Sequence, residues 1–469
     1  MHHGVDLVHA PLARWARDRA DQVAIRSGGQ ALTFAQLQDA VHRRSRALEA
    51  QRAGATVLVD DQLDAIQRTL EFLAIIASGR CAAVGDTEWP APVKAAVQRC
   101  IDSQPVDLPA PDGDTPFYIG YTSGSTGTPK GYRRHHRSWT ESFRICLETF
   151  GPDAASCILA PGRDSHSLFL FGMMLGIWTG AGVVVQEKFS AAQCLDTLAT
   201  GTTPCLVAVP SQLLLMLEVA AHRNCAPMSA VRLIMVSGAR WSRSRTPALK
   251  ALFPQARIVE FYGASETSFI AWMDAADETS DAPAKAVGKP FSNVEISIRP
   301  APHGLIYVRS PMLFMDYVGM PAGASAVEAT AALRDGDWLS VRDVGTLDAR
   351  GWLCLEGREN RMIVTNGKNL FPEELENVLE SHPAVAQASV HGVADTLRGT
   401  QVVAVLRLRS QVQATQLRAH CQTRLEAYKA PRRYLLLTDW PQTPSGKTDH
   451  RAIAQAIQEP ASSCLQTLQ

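Results

Sequence analysis

The run Thr122-Ser123-Gly124-Ser125-Thr126-Gly127-Thr128-Pro129-Lys130-Gly131 constrains this chain more than any other stretch. It follows Phe117–Tyr121, a short apolar run that reads as a buried strand. Glycines let backbone amides turn inward and approach an oxyanion closely. The hydroxyls and the single lysine add donors and a positive point charge. This composition suits a polyphosphate. A Ser/Gly linker is the plain alternative, but a linker does not normally sit directly on a buried strand. The run also departs from the nucleoside-triphosphatase P-loop, which requires Gly immediately before Lys where Pro129 stands.

The rest of the chain is ordinary globular material, with 469 residues, 46% of them hydrophobic and 20% charged. That length suggests two or three domains. Lys plus Arg and Asp plus Glu both number 46, so no global basic field holds nucleic acid or an anionic membrane. The densest local cluster is Arg133, Arg134, His135, His136 and Arg137. Coming directly after the loop, it reads as a cleft rim that helps to bind phosphates, with a nucleic-acid surface as the weaker alternative. The ten cysteines are scattered singly, without C-x-x-C spacing, and read as reduced thiols of a cytoplasmic protein. Met1–Trp15 lacks the apolar core of a secretory signal. The uncharged stretch from Ser165 to Gln186 nearly reaches membrane-span length, but its glycines and the Val183–Val185 run divide it. It reads as a buried helix followed by a buried parallel strand.

Along the chain, strand-like and helical segments alternate. Thr33 caps a predicted helix carrying Leu37, Val41 and Leu48, and Val57–Val59 precedes a helix over 63–76. Leu206–Val209 precedes a helix over 212–221, and Leu233–Val236 and Ile258–Tyr262 each run into a glycine turn. Such alternation predicts α/β layers on a parallel sheet. After Ala286, short strands separated by Gly, Pro and Asp turns predict a β-rich subdomain, and beyond Gly357 the texture is α+β, with Pro372 at a helix start. The expected architecture is a large N-terminal domain over 1–357 and a small mobile C-terminal domain over 358–469.

Further segments stand in a fixed order: Val236-Ser237-Gly238-Ala239-Arg240, Phe261-Tyr262-Gly263-Ala264-Ser265-Glu266-Thr267, Trp338-Leu339-Ser340-Val341-Arg342-Asp343 and Pro444-Ser445-Gly446-Lys447-Thr448-Asp449. Together with the loop they span most of the chain. The set resembles the superfamily of adenylate-forming enzymes: acyl- and aryl-CoA synthetases, peptide-synthetase adenylation domains and firefly luciferase. Acyl- or aryl-CoA ligases are its nearest members.

The resemblance implies two half-reactions. A carboxylate attacks the α-phosphorus of MgATP, releasing pyrophosphate and leaving an acyl-adenylate, which a thiol, that of coenzyme A, then attacks. It assigns ATP binding to Thr122, Ser123, Gly124, Ser125, Thr126, Gly127 and Lys130. Gly238, Ala239, Tyr262 and Gly263 lie by adenine, and Asp343 and Arg358 by the ribose hydroxyls. Ser265 stands near the α-phosphate, Glu266 holds Mg²⁺, and Lys447 stabilises charge developing on the phosphate. Asn360 falls at the hinge and Gly367 in the pantetheine tunnel. His166, Phe171, Gly172 and Ala264 line the acid pocket, with His166 reading equally as a packed core residue.

The chain departs from the family's usual pattern at Ser265, at Val341-Arg342 where the family usually has Thr-Gly, at Asn360 and at Val364, and the stretch between Leu32 and Thr122 is short for the family. Asp164 precedes the position where peptide-synthetase domains place the aspartate that holds an α-ammonium, so a fatty or aryl acid is expected rather than an amino acid. Two rival readings are an enzyme that loads the phosphopantetheine thiol of an acyl carrier protein, and a catalytically silent nucleotide-binding protein. Monomer and homodimer stay open, as does the identity of the acid.

Overall fold

The computed structural model describes residues 6–103, 108, 110–122, 129–275, 281–283, 285–318, 331–365, 368–395, 399–443, 447–459 and 465–468. The chain forms two compact units. The first comprises Met1–Ile296, Val308–Val341 and Ala349–Leu353; the second comprises Ser297–Tyr307, Arg342–Asp348 and Cys354–Gln469.

The expected α/β layering is present in the first unit. Its larger sheet has a parallel centre, where Arg257–Ala264, Leu233–Val236, Cys205–Ala208, Ile158–Ala160 and Val183–Val185 lie side by side. Cys205–Ala208 and Leu233–Val236 are buried at every residue, as strands covered on both faces must be. Val23–Ser27 extends the sheet in parallel on one side, and Ser268–Asp274 turns back antiparallel on the other. A second sheet orders Asp316–Val318, Lys130–His135, Pro116–Thr122, Cys81–Val84 and Thr56–Leu58.

Local signals explain the helices. Thr33 accepts a hydrogen bond from Gln36 N while Gln36 reaches back to Thr33 N, a capping box that starts Phe34–Ala50. Asp64 caps Ala65–Ala77 by accepting from Gln67 N, without the reciprocal bond. The uncharged stretch divides as expected into Ser167–Trp178, buried from Leu168 through Ile177, and Val183–Val185. No helix among the described residues is long and apolar enough to cross a membrane.

An aromatic core joins strand Pro116–Thr122 to helix His136–Phe150: Phe117 stacks on His136, with ring centroids 4.8 Å apart, and packs edge-on to Trp139. His136 is 1% exposed, and its Nδ1 accepts from Val8 N at 3.1 Å. Burial, reinforced by His9 and His135, depresses its imidazole from the ordinary 6.5 to about 3. Between those values the unfolded chain binds a proton that the folded chain excludes. Stability is therefore full above about pH 6.5 and falls on acidification by about 1.4 kcal/mol per pH unit from this residue. His136→Gln keeps an acceptor without titrating, and should flatten the acid limb of stability measured by urea unfolding. An unchanged slope would refute the assignment.

In the second unit, Val385–Asp395, Gly399–Leu408, Arg433–Leu436 and Gln466–Thr467 form a four-stranded sheet. Helix Pro372–Glu380 packs Leu375 and Leu379 against Val390, Val402 and Ala404. Pro372 opens this helix, where its missing N–H costs nothing.

Candidate active site

Strand Pro116–Thr122 leads into the predicted phosphate loop and strand Lys130–His135 leaves it, with Thr122 and Lys130 facing one another across the pair. Ser123, Gly124, Ser125, Thr126 and Gly127 lie outside the described residues. Lys130 is 8% exposed, and its ammonium stands 5.1 Å from the centre of the Tyr317 ring. The Tyr317 hydroxyl donates to Glu266 Oε1 at 2.9 Å. Burial, followed by the charge of Glu266, pushes the phenol well above its usual range, so it remains the donor. Sequence reasoning missed Tyr317, because a lone tyrosine in the three-residue strand Asp316–Val318 carries no pattern.

Glu266 rides on the turn between Arg257–Ala264 and Ser268–Asp274. The backbone there is crowded: a Cβ on Gly263 would lie 1.9 Å from the Ser268 carbonyl oxygen, which excludes any side chain. Thr267, fully buried, accepts from Ala264 N at 3.0 Å, and Phe314 N donates to the Glu266 carbonyl at 2.7 Å. Tyr262 is half-buried one residue before Gly263. Gly238, at φ +91°, and Ala239 follow strand Leu233–Val236, and the neighbouring Ser237 hydroxyl donates to Phe261 O at 2.9 Å. The two predicted adenine segments are therefore adjacent.

The predicted acid segment reaches the same place. The Ser167 and Ser265 hydroxyls are 3.4 Å apart. His166 is the N-cap residue of Ser167–Trp178, half-buried, with its ring 5.2 Å from Phe169. Phe171 packs among Trp139, Phe143 and Phe269, so it belongs to the aromatic core as well as to the segment. At Gly172 a Cβ would lie 3.1 Å from a Val207 methyl, a tight contact that Val207 would have to relieve by a few tenths of an ångström. Ala264 is half-buried where its strand ends. Asp164 is committed to structure: Arg68 grips both its oxygens at 2.9 Å. Ser165 donates to Asp86 at 3.2 Å, pinning the loop that enters the helix.

The basic cluster after the loop does not form a rim of unpaired charge. Arg133 forms a two-pronged pair with Asp316, Arg137 pairs with Asp114, and Arg134 and His136 are each 1% exposed. Alternation along a strand sends neighbouring side chains to opposite faces, which composition alone does not reveal.

In the second unit, Asp343 is 2% exposed and accepts from Arg358 Nε at 3.0 Å, so the two predicted ribose residues are in contact. Arg342 adopts φ +64°, the left-handed conformation that glycine takes freely at the position where the resemblance expects one. Its guanidinium pairs with Glu359 at 2.8 Å, and Glu359 N donates to its carbonyl at 2.9 Å. Asn360 is exposed in the short 3-10 turn Glu359–Arg361. Lys447 is exposed on a loop closed by hydrogen bonds from Thr443 N to Lys447 O at 2.7 Å and from Lys447 N to Thr443 Oγ1 at 3.2 Å. Gly367 and the Pro444–Gly446 stretch lie outside the described residues.

Comparison with known proteins identifies the family. The AMP-binding enzyme family matches residues 50–318, and the AMP-binding enzyme C-terminal domain matches residues 374–447. The uncharacterized acyl-CoA ligase YhfT of Bacillus subtilis is 37% identical over 361 residues, covering 75% of this chain and 71% of that protein. The o-succinylbenzoate CoA synthetase of B. subtilis, solved with its acyl-adenylate intermediate, superposes with a TM-score of 0.79 at 24% identity, covering 94% and 97% of the two chains. The same enzyme solved with ATP and a magnesium ion gives 0.77 at 24% identity, with coverage of 94% and 98%. The chain belongs to the AMP-binding enzyme family. It is an AMP-forming acid–thiol ligase, an enzyme that activates a carboxylic acid with ATP before passing it to a thiol.

Proposed function

We propose that this enzyme joins a fatty or aryl carboxylic acid to coenzyme A through its acyl-adenylate. The observation that carries this reading is the convergence of Lys130, Tyr317 and Glu266 beside the mouth of the phosphate loop. A cation and a carboxylate held in place by one phenol suit a magnesium-bound polyphosphate: Lys130 faces phosphate oxygens, and Glu266 offers the hard oxygen that Mg²⁺ prefers. Bound there, Mg²⁺ neutralises phosphate charge.

The remaining roles follow the order of the segments. Thr122, Ser123, Gly124, Ser125, Thr126 and Gly127 cradle the phosphates with Lys130. Gly238, Ala239, Tyr262 and Gly263 hold adenine, Asp343 and Arg358 take the ribose hydroxyls, and Ser265 donates near the α-phosphate. Lys447 stabilises the charge that builds up as the carboxylate displaces pyrophosphate, and positioning does most of the rest. Asn360 is the hinge between half-reactions, and Gly367 lines the path of the thiol. The acid lies against His166, Phe171, Gly172 and Ala264. With Asp164 held by Arg68, no carboxylate of that loop is left for an α-ammonium, which favours an acid without one.

A pyrophosphate-release screen over alkanoic, dicarboxylic, aryl and amino acids, with and without coenzyme A, tests the proposal. Release dependent on an alkanoic or aryl acid, with acyl-CoA formed when the thiol is present, is expected. Stoichiometric ATP binding without release for any acid would overturn it.

A further inference from the structure

Arg134 leaves the basic cluster for the interior. Its Nε donates to Ser138 Oγ at 3.2 Å, Nη1 to the Ser265 carbonyl at 2.5 Å, and Nη2 to Ser268 Oγ at 2.7 Å and to the Met312 carbonyl. Among the described residues it makes no ion pair. Both ends of the Ser265–Ser268 turn are thus gripped from strand Lys130–His135, the strand that carries Lys130 at its start.

A buried guanidinium without a carboxylate is a poor way to stabilise a core, since apolar residues of similar volume often do as well or better. It does offer a rigid planar fork of donors that can bind a carbonyl and a hydroxyl of one turn at the same time. Its charge is also attracted by the Glu266 carboxylate.

We propose that Arg134 is a positioning residue for adenylation, its guanidinium holding the Ser265–Ser268 turn so that the Ser265 hydroxyl and the Glu266 carboxylate meet the magnesium-bound nucleotide. The inference rests on the roles proposed above for Ser265 and Glu266.

The test uses the full chain with Arg134→Met, Arg134→Lys, Glu266→Gln and the Met/Gln double variant, in ATP–pyrophosphate exchange titrated with Mg²⁺. Arg134→Met, folded by circular dichroism, should lower the exchange rate about ten- to a hundredfold, the cost of misplacing a reacting group by about an ångström. It should also raise the half-saturating Mg²⁺ concentration several-fold, with Arg134→Lys recovering part of both losses. The double variant should lose less than the product of the two single losses, because both act through one turn. A folded Met variant with unchanged rate and Mg²⁺ dependence, or losses that simply multiply, would overturn the inference. If Arg134→Met fails to fold, Arg134→Lys paired with Glu266→Gln decides by the same rule. If Glu266→Gln leaves the Mg²⁺ dependence unmoved, the reading of Glu266 fails and this inference with it. If only Arg134→Met leaves it unmoved, this inference alone fails.

Discussion

Replacing Lys447 by alanine is expected to slow adenylate formation by about a hundredfold or more, the usual loss when a preorganised donor to developing charge is removed. The side chain is exposed, and hydrogen bonds of the Lys447 backbone, which alanine keeps, help to shape its loop. Thr443 bonds to the Lys447 backbone in both directions, Trp440 Nε1 donates to Thr448 Oγ1 at 3.1 Å, and Asp449 caps helix His450–Gln458. Alanine should therefore leave the loop and the unfolding midpoint essentially unchanged. It should also spare the second half-reaction, the transfer of a pre-made acyl-adenylate to coenzyme A with AMP leaving, in which Lys447 is assigned no part. Single-turnover assays separate the two steps. ATP–pyrophosphate exchange at near-normal rate in a folded variant would sink the assignment.

Removing the carboxylate of Asp164 should cost about 3–5 kcal/mol of stability, the range for breaking a buried pair and stranding its partner. Arg68 is held 5% exposed, with the Asp60 and Gly85 carbonyls as its other acceptors. Without Asp164 its charge has no anion in contact and little water. The effect should extend to activity, since the pair fixes the loop just before His166 to helix Ala65–Ala77. Urea unfolding of Asp164→Ala gives the number, and Asp164→Asn, which keeps one acceptor, should fall between. A loss below about 1 kcal/mol would place the pair among exposed ion pairs and refute its burial.

These two residues show what kind of information a linear sequence carries. Lys447 sits in a short segment whose neighbours already announce its surroundings. Asp164 stands out in the sequence only as an acid in the wrong place, because its partner lies 96 residues earlier, in helix Ala65–Ala77. The Arg133–Arg137 cluster misleads for a related reason: its residues are adjacent in the chain but pass from the end of strand Lys130–His135 into helix His136–Phe150, so the charges end up in separate environments. Arg342 shows the reverse. A departure from the expected glycine is accommodated because the backbone adopts φ +64° anyway and Glu359 engages the added charge.

The sequence by itself determined what depends on neighbours a few residues apart: the capping box at Thr33, the buried strands, the strand entering a polyphosphate loop, and the ordered segments that define the family. Those signals are local because helix caps, strand burial and loop turns are set within a few residues of backbone. Only the tertiary structure decided that Tyr317 joins Lys130 to Glu266, that Arg68 takes Asp164, and that Arg134 turns inward to hold Ser265. Contacts of that kind join residues between 51 and 187 positions apart. Their energies depend on burial and on which groups meet, and both exist only once the sheets have packed.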